Sequence, residues 1–308
     1  MEKAKRWIIP LAGIGVLFLA LQLGAGLSVA PKATYAEWMK AVDDDAPITS
    51  LSIPGTHDSG ATCSVAEVAG ICQDLSIGDQ LTLGARFLDI RLKGVNDVLQ
   101  VYHGFIKQNL AFSEVLKQCY AFLDAHPSET ILFSVKKEEN PDNCSKGFEE
   151  LLKGEIDGKR FILNGLPSRL GDARGKIILL SRYADATIGL PSYDGWQDPG
   201  RADAPNTFDY AYGSLNVHVQ DHYQLLDAET KWGEALAAID YASSHPDELT
   251  LNFFSGYLMD YFPPSYSVSV ARSINPKIQS ELPVNHSGVL IVDFYGEALA
   301  NAMLGGKK

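Results

Sequence analysis

Two histidines, three strong cations and a set of carboxylates recur at matching places along this chain. His57, Asp89, Arg91, His103, Lys136, Arg182, Asp221 and Asp293 each lie on, at the end of, or just beyond a short apolar run. Imidazoles titrate near neutrality, so two of them can act as base and acid in one reaction. A carboxylate behind one of them, Asp293 or Asp89, would fix its tautomer and stabilise the imidazolium. Arg91, Lys136 and Arg182 offer charge-assisted hydrogen bonds to phosphate or sugar oxygens. Together these groups describe phosphoryl chemistry carried by side chains. The sequence holds no G-x-x-x-x-G-K-[ST], G-x-G-x-x-G or H-E-x-x-H element, so neither a nucleotide cradle nor that metal motif is supported. No cofactor and no metal are expected.

Bringing such groups together takes a frame whose strand ends converge. Apolar runs of β type alternate with helix-length segments, the pattern of a parallel α/β sheet. The strand candidates are residues 49–53, 87–91, 99–103, 131–136, 176–182, 216–221, 250–254 and 289–294. Eight strands in about 250–270 residues suit a distorted, single-domain (βα)8 TIM barrel with irregular helices, whose strand ends meet on one rim. The short Asn96-Asp97 turn leaves little room for a helix between the second and third strands. Residues 121–133 and 242–254 look alike, each a helix end, a His-Pro stop, acidic turn residues and a strand. His126 and His245 therefore read as loop punctuation. His218 and His222, which flank Asp221, read as structural.

Of 308 residues, 46% are hydrophobic and 21% charged, enough apolar side chain for a substantial core. The net charge of −12 argues against nucleic acid as a partner. Lys3, Lys5 and Arg6 precede an uncharged run, so residues 1–36 read as an export signal or an N-terminal membrane anchor. Residues 37–308 form the catalytic barrel, placed outside the cytoplasm. Disulfides are permissible there, and the favoured pairings are Cys63–Cys72 and Cys119–Cys144. The cysteine spacings contain no paired C-x-x-C, so zinc is not expected.

SIPGTHDSGA (52–61), GARFLDIR (84–91), the Tyr102-His103-Gly104 triplet, PSETILFSVKKE (127–138), GDARGKIILLSRY (171–183) and VQDHY (219–223) occur in order. This set resembles the bacterial phosphatidylinositol-specific phospholipase C family, and the likeness runs from about residue 47 through Asp293. The resemblance implies a distorted (βα)8 barrel and a metal-independent lyase that releases diacylglycerol and inositol 1,2-cyclic phosphate. By matching position, His57 is the general base on the inositol 2-hydroxyl, oriented by Asp293. Arg91 stabilises the phosphate, and His103 assisted by Asp58 is the general acid. Lys136, Arg182 and Asp221 match positions that hydrogen-bond inositol hydroxyls, Tyr223 one that packs on the ring, and Asp89 a carboxylate beside the arginine. Calcium-dependent relatives hold acidic or amide ligands where this chain has Asp58, Asp89, Arg91 and Lys136. Two of those four are cations here, whereas calcium wants several oxygen ligands.

A lipid substrate also requires a membrane-facing rim. Residues 257–266 gather Tyr257, Leu258, Met259, Tyr261 and Phe262 beyond the seventh strand, a composition suited to a membrane boundary. Trp196 near Tyr193 reads as a second rim element. The expected partners are phosphatidylinositol or a glycosylated inositol lipid at a membrane surface, met by a monomer. Two rival readings stay open at this point. One is a metal-dependent barrel glycerophosphodiesterase; the other is a non-catalytic inositol-lipid binding protein.

Overall fold

The structure, a computed structural model, describes residues 35–62, 70–197, 206–259 and 267–305. Residues 1–34 of the expected export signal or anchor, Cys63, Tyr261 and Phe262 lie outside the described residues. The first half runs β1 (Ser52–Thr56), α1 (Ile77–Thr82), β2 (Phe87–Val95), β3 (Val98–His103), β4 (Ile106–Ala111) and α2 (Phe112–Ala125). It continues through β5 (Ile131–Lys137), α3 (Phe148–Glu155), β6 (Phe161–Ile162), β7 (Ile177–Arg182) and β8 (Leu190–Pro191). The second half holds β9 (Thr207–Tyr212), β10 (Leu215–Gln220), β11 (Gln224–Leu225), α4 (Ala228–Ser244), β12 (Leu249–Phe253), β13 (Tyr257–Leu258), α5 (Ser267–Glu281), β14 (Gly288–Val292) and α6 (Glu297–Leu304).

The main sheet is ordered β6-β7-β5-β2-β1-β14-β12-β10-β9. Every neighbouring pair along it is parallel except β10 with β9. Among the described residues no ladder joins β6 back to β9, so the barrel is open on that side. Strand alternation decides which side chains enter it. On β2, Leu88, Ile90 and Leu92 pack outward against Phe112 and Val115 of α2, while Phe87 turns into the interior core with Leu132, Ile178, Val219, Leu251, Phe253 and Ile291. The interior phase of each strand then ends on a polar group two or four residues later. Phe87 leads to Asp89 and Arg91, Leu132 to Lys136, Leu180 to Arg182, Val219 to Asp221, and Ile291 to Asp293. The barrel is apolar below and charged above for that reason.

Two expectations change. The third strand is not a barrel stave. β2 overshoots the rim, and β3 returns antiparallel to it, pairing Leu92 with Val101. β4 then completes a meander. His103 reaches the rim by descending onto it, because the Asn96-Asp97 turn (φ 51° and 62°) leaves room only for a hairpin. The first strand begins at Ser52, since residues 48–50 form a 3₁₀ turn. By contrast, the two look-alike connections close identically. The His126 and His245 amides donate to Phe122 O and Tyr241 O, each 2.9 Å, and Glu129 and Glu248 donate back to the histidine carbonyls.

The disulfides are a third correction. Cys72, Cys119 and Cys144 carry free thiols, so Cys119–Cys144 does not form; the other expected pairing, Cys63–Cys72, has one member outside the described residues. Cys119 faces the sheet from the buried side of α2. Cys144 sits over Gly94 of the hairpin and accepts the Asp97 N–H at 3.4 Å.

Opposite the rim, just before β2 and β5, a buried ion pair ties the staves to the N-terminal segment. Arg86 donates to Glu129 Oε2 at 2.8 and 3.0 Å and to the carbonyls of Ala36, Leu81 and Ala85. Both side chains are fully buried. Replacing Arg86 with Met strands the carboxylate and should cost about 3–5 kcal/mol in denaturant unfolding. Turnover per folded molecule should stay the same.

Candidate active site

The loop after β1 is shaped by crowding and by hydroxyl bonds. A side chain at Gly55 would approach Phe87 Cβ to 2.9 Å, so β1 can lie this close to β2 only with glycine there. Thr56 and Ser59 share a hydrogen bond of 2.6 Å, and Ser59 Oγ accepts the Asp89 amide at 2.9 Å. This stitching holds Asp58 at φ 37°, a left-handed backbone uncommon for a residue with a Cβ. Gln73 donates to the carbonyls of His57 and Val292, locking the base of the loop to β14.

His57 and Asp293 meet across the β1–β14 ladder, with Nδ1 to Oδ1 at 2.7 Å. The other ring nitrogen, Nε2, accepts an Arg91 N–H at 2.8 Å. A guanidinium can only donate, so the neutral ring carries its proton on Nδ1, toward Asp293. Arg91 is itself surrounded by carboxylates: Asp89 at 3.1 Å, Glu138 at 3.6 Å and Asp58 at 3.7 Å. Beyond it, His103 Nε2 lies 3.8 Å from Asp58 Oδ2.

These surroundings push the two imidazoles apart. Burial works against charge on His57, but the adjacent Asp293 carboxylate outweighs it and raises the ring above its usual range. His103 is lowered to about 4 by burial and by the positive Arg91 and His57. Burial raises Asp58 to about 8 against the opposing pull of Arg91. Near neutrality the Asp58–His103 pair therefore retains one proton.

The remaining groups line the same cavity of ≈ 660 Å³. Lys136 Nζ lies 2.7 Å from Glu138 Oε2. Lys137, next along β5, is exposed at the cavity mouth. Arg182 donates to Asp221 Oδ2 at 3.1 Å and stacks on Trp196, 3.4 Å from the ring centroid. Trp196 also donates to Asp221 at 3.0 Å. It is 3% exposed, so it is a floor under the arginine and not the rim element expected from sequence. Tyr223 and Tyr257 face each other at 5.9 Å on the cavity wall. Leu258 packs toward the α4–α6 core, while Met259 is exposed. His218 binds Asp209 and stacks on Tyr241, and His222 binds Glu234, so neither pairs with His57 or His103.

Sequence reading missed two residues here. Glu138 bridges Arg91, Lys136 and the Gly104 amide (2.8 Å). It closes the PSETILFSVKKE stretch, and a carboxylate two residues past an inward lysine was the available signal. Phe105 stands 86% exposed at the β3–β4 turn on the cavity edge. Nothing in sequence separated it from an ordinary turn residue.

An α/β barrel whose open end joins two acid–base dyads through one caged guanidinium belongs to the class that handles phosphodiesters with side chains. Residues 45–183 match the family described as phosphatidylinositol-specific phospholipase C, X domain. The chain is 30% identical over 276 residues to a 1-phosphatidylinositol phosphodiesterase of Listeria monocytogenes, covering 85% of this chain and 81% of that protein. A Staphylococcus aureus protein of the same name is 31% identical over 278 residues, covering 84% and 88%. Solved phosphatidylinositol-specific phospholipases C superpose with TM-scores of 0.74 (an F249X mutant from S. aureus, 26% identity, covering 89% of this chain and 98% of that one) and 0.70 (L. monocytogenes, 26%, covering 89% and 98%). The chain belongs to the bacterial phosphatidylinositol-specific phospholipase C family.

With His57 as base and the Asp58–His103 pair as acid, the sign of the pH dependence is set. The base must be neutral, so kcat/KM rises with pH through a value above 6.5; the pair must keep its proton, so kcat/KM falls through about 8. Asp293→Asn removes the charge that raises His57. Its acidic limb should move to lower pH while the maximum rate drops. An unmoved limb would assign that titration to another group.

Proposed function

We propose that the chain is a phosphatidylinositol diacylglycerol-lyase acting at a membrane surface. The observation that carries this reading is the shared guanidinium, which lies against the His57 lone pair on one side and the Asp58–His103 pair on the other. The inositol 2-hydroxyl gives its proton to His57 Nε2 while its oxygen attacks phosphorus. Arg91 exchanges its bond to the imidazole for one to a non-bridging phosphate oxygen as charge gathers there. Asp293 balances the imidazolium. The bond from phosphorus to the glycerol oxygen breaks, and that oxygen takes the proton held by Asp58 and His103. Diacylglycerol and inositol 1,2-cyclic phosphate result.

Lys136, Arg182 and Asp221 would bind the ring hydroxyls, and Tyr223 would pack on its face. The fixed charge of Arg91 replaces a divalent ion, so cleavage should proceed in EDTA. Free phosphatidylinositol and glycosylated inositol lipids share the headgroup chemistry this cavity fits. The basic and then apolar N-terminus supports action outside the cytoplasm. Exposed Phe105, with Met259, supports membrane contact at the rim.

Phosphorus NMR of the purified chain with phosphatidylinositol vesicles and EDTA should show the five-membered cyclic phosphate resonance. A linear inositol phosphate as first product, or dependence on calcium, would overturn the lyase reading. His57→Ala and His103→Ala should each lower turnover at least ~10²-fold. Phe105→Asp should weaken partitioning to vesicles by roughly tenfold or more, while turnover of a soluble inositol phosphodiester stays unchanged.

A further inference from the structure

One buried nucleophile in the site has no part in the lyase chemistry. Cys72 is fully buried with a free thiol, at the point where both acid–base dyads converge. Its Sγ and one ligand atom each from His57 and Asp293 all lie within 4.8 Å of one another, and the same holds for Sγ with Asp58 and His103. Among the described residues, both Asp58 carboxylate oxygens, Asp293 Oδ2 and His103 Nδ1 lack a hydrogen-bond partner although buried. Leaving such atoms unmatched is costly. A thiol with an imidazole and a carboxylate within reach on either of two sides offers the donors that zinc selects. The cysteine spacing could not reveal this set, because the ends of β1, β3 and β14 bring the other members to Cys72, which sits in the loop before α1.

We propose that Cys72, with the two dyads, is an inhibitory site for a thiophilic divalent cation, Zn²⁺ being the type case. On binding, the Sγ–H bond breaks, its proton leaves to solvent and an Sγ–metal bond forms. The cation takes the His57–Asp293 or the Asp58–His103 side and so removes the base or the acid. Arg91 beside the site opposes any cation, so only one that gains a thiolate bond is held. Calcium and magnesium, which prefer oxygen ligands, are not.

The inhibitory part rests on the proposed roles of His57 and His103; the binding part does not, and the two are read separately. Cobalt(II) added to the intact chain should produce the intense near-ultraviolet thiolate-to-cobalt charge-transfer band, and zinc should displace it. Zinc should also stop turnover of a soluble inositol phosphodiester, with EDTA restoring it and calcium having no effect. Cys72→Ser and Cys72→Ala should abolish the band and raise the half-inhibiting zinc concentration about tenfold or more. The Cys63→Ser/Cys144→Ser double variant should keep both properties. X-ray absorption of zinc-loaded wild type should show sulfur and imidazole scattering, a readout independent of how the variants fold. A wild type without the band, a band that survives loss of Cys72, or zinc binding without inhibition would overturn the proposal. Retention of turnover by His57→Ala with the band intact would instead count against the lyase roles.

Discussion

Arg91 is the constraint on which the rest of the site depends. Its guanidinium lies within 4 Å of Asp58, Asp89 and Glu138 and donates to His57. At such distances each ion pair is worth about 4 kcal/mol at an effective dielectric of about 20. The Asp89 and Glu138 carboxylates, which keep their charge while Asp58 holds a proton, thus outweigh both the burial of the cation and the histidine it abuts. The same cage fixes the position of the charge. A divalent ion would have to assemble its ligands, whereas this cation arrives covalently attached to β2 in the interior phase of the strand. An oxyanion forming beside it meets a donor that needs no reorganisation.

That cage explains features of the fold that are otherwise arbitrary. β2 must place two consecutive inward residues, Asp89 and Arg91, at the rim, and then continue outward so that β3 can bring His103 back from above. A helix after β2, as in a regular barrel unit, would carry the chain to the outside and away from the site. The antiparallel hairpin keeps it over the cavity mouth. Glu138 fastens this arrangement by accepting the Gly104 amide at the hairpin turn while facing Arg91. The hairpin turn beside His103 and the cation are therefore held by a single carboxylate just beyond the neighbouring stave, β5.

Most of this frame was legible in the sequence because two periodicities coincide in it. All eight expected strands recur within a few residues of their places, seven of them as parallel staves, since runs such as 131–135 and 177–182 are buried on both faces and can hardly be anything else. The charged residues that end them announce a rim. What could not be read was direction and partnership. An apolar run ending in His103 looks the same whether its strand is parallel or antiparallel, and only the brevity of the 96–97 turn hinted at a hairpin. Trp196 beside exposed Tyr193 looked like a rim pair, yet Arg182 draws it under the cavity floor. The cysteines misled because sequence proximity stood in for geometry: Cys119 is committed to the core beneath α2, and Cys144 to the hairpin.

The opposite displacement of the two imidazoles follows from one asymmetry. Both histidines feel the positive Arg91, and burial disfavours charge on both. His57 alone has a carboxylate in direct contact, at 2.7 Å; the nearest one to His103 is 3.8 Å away and is itself raised to about 8. The proton that His103 does not hold thus stays on Asp58, one short transfer away. In the proposed reaction an acid built this way is weak while the phosphodiester is intact, because a neutral ester oxygen gives little inducement to cross that gap. As the glycerol oxygen takes on negative charge, the ring gains a partner, and its affinity for the proton rises as the bond to phosphorus lengthens. His57 has no such gap to cross, since its partner carboxylate, Asp293, already lies at 2.7 Å. Environments that separate a pair of like side chains in this manner are what assign base and acid within an otherwise symmetric pair.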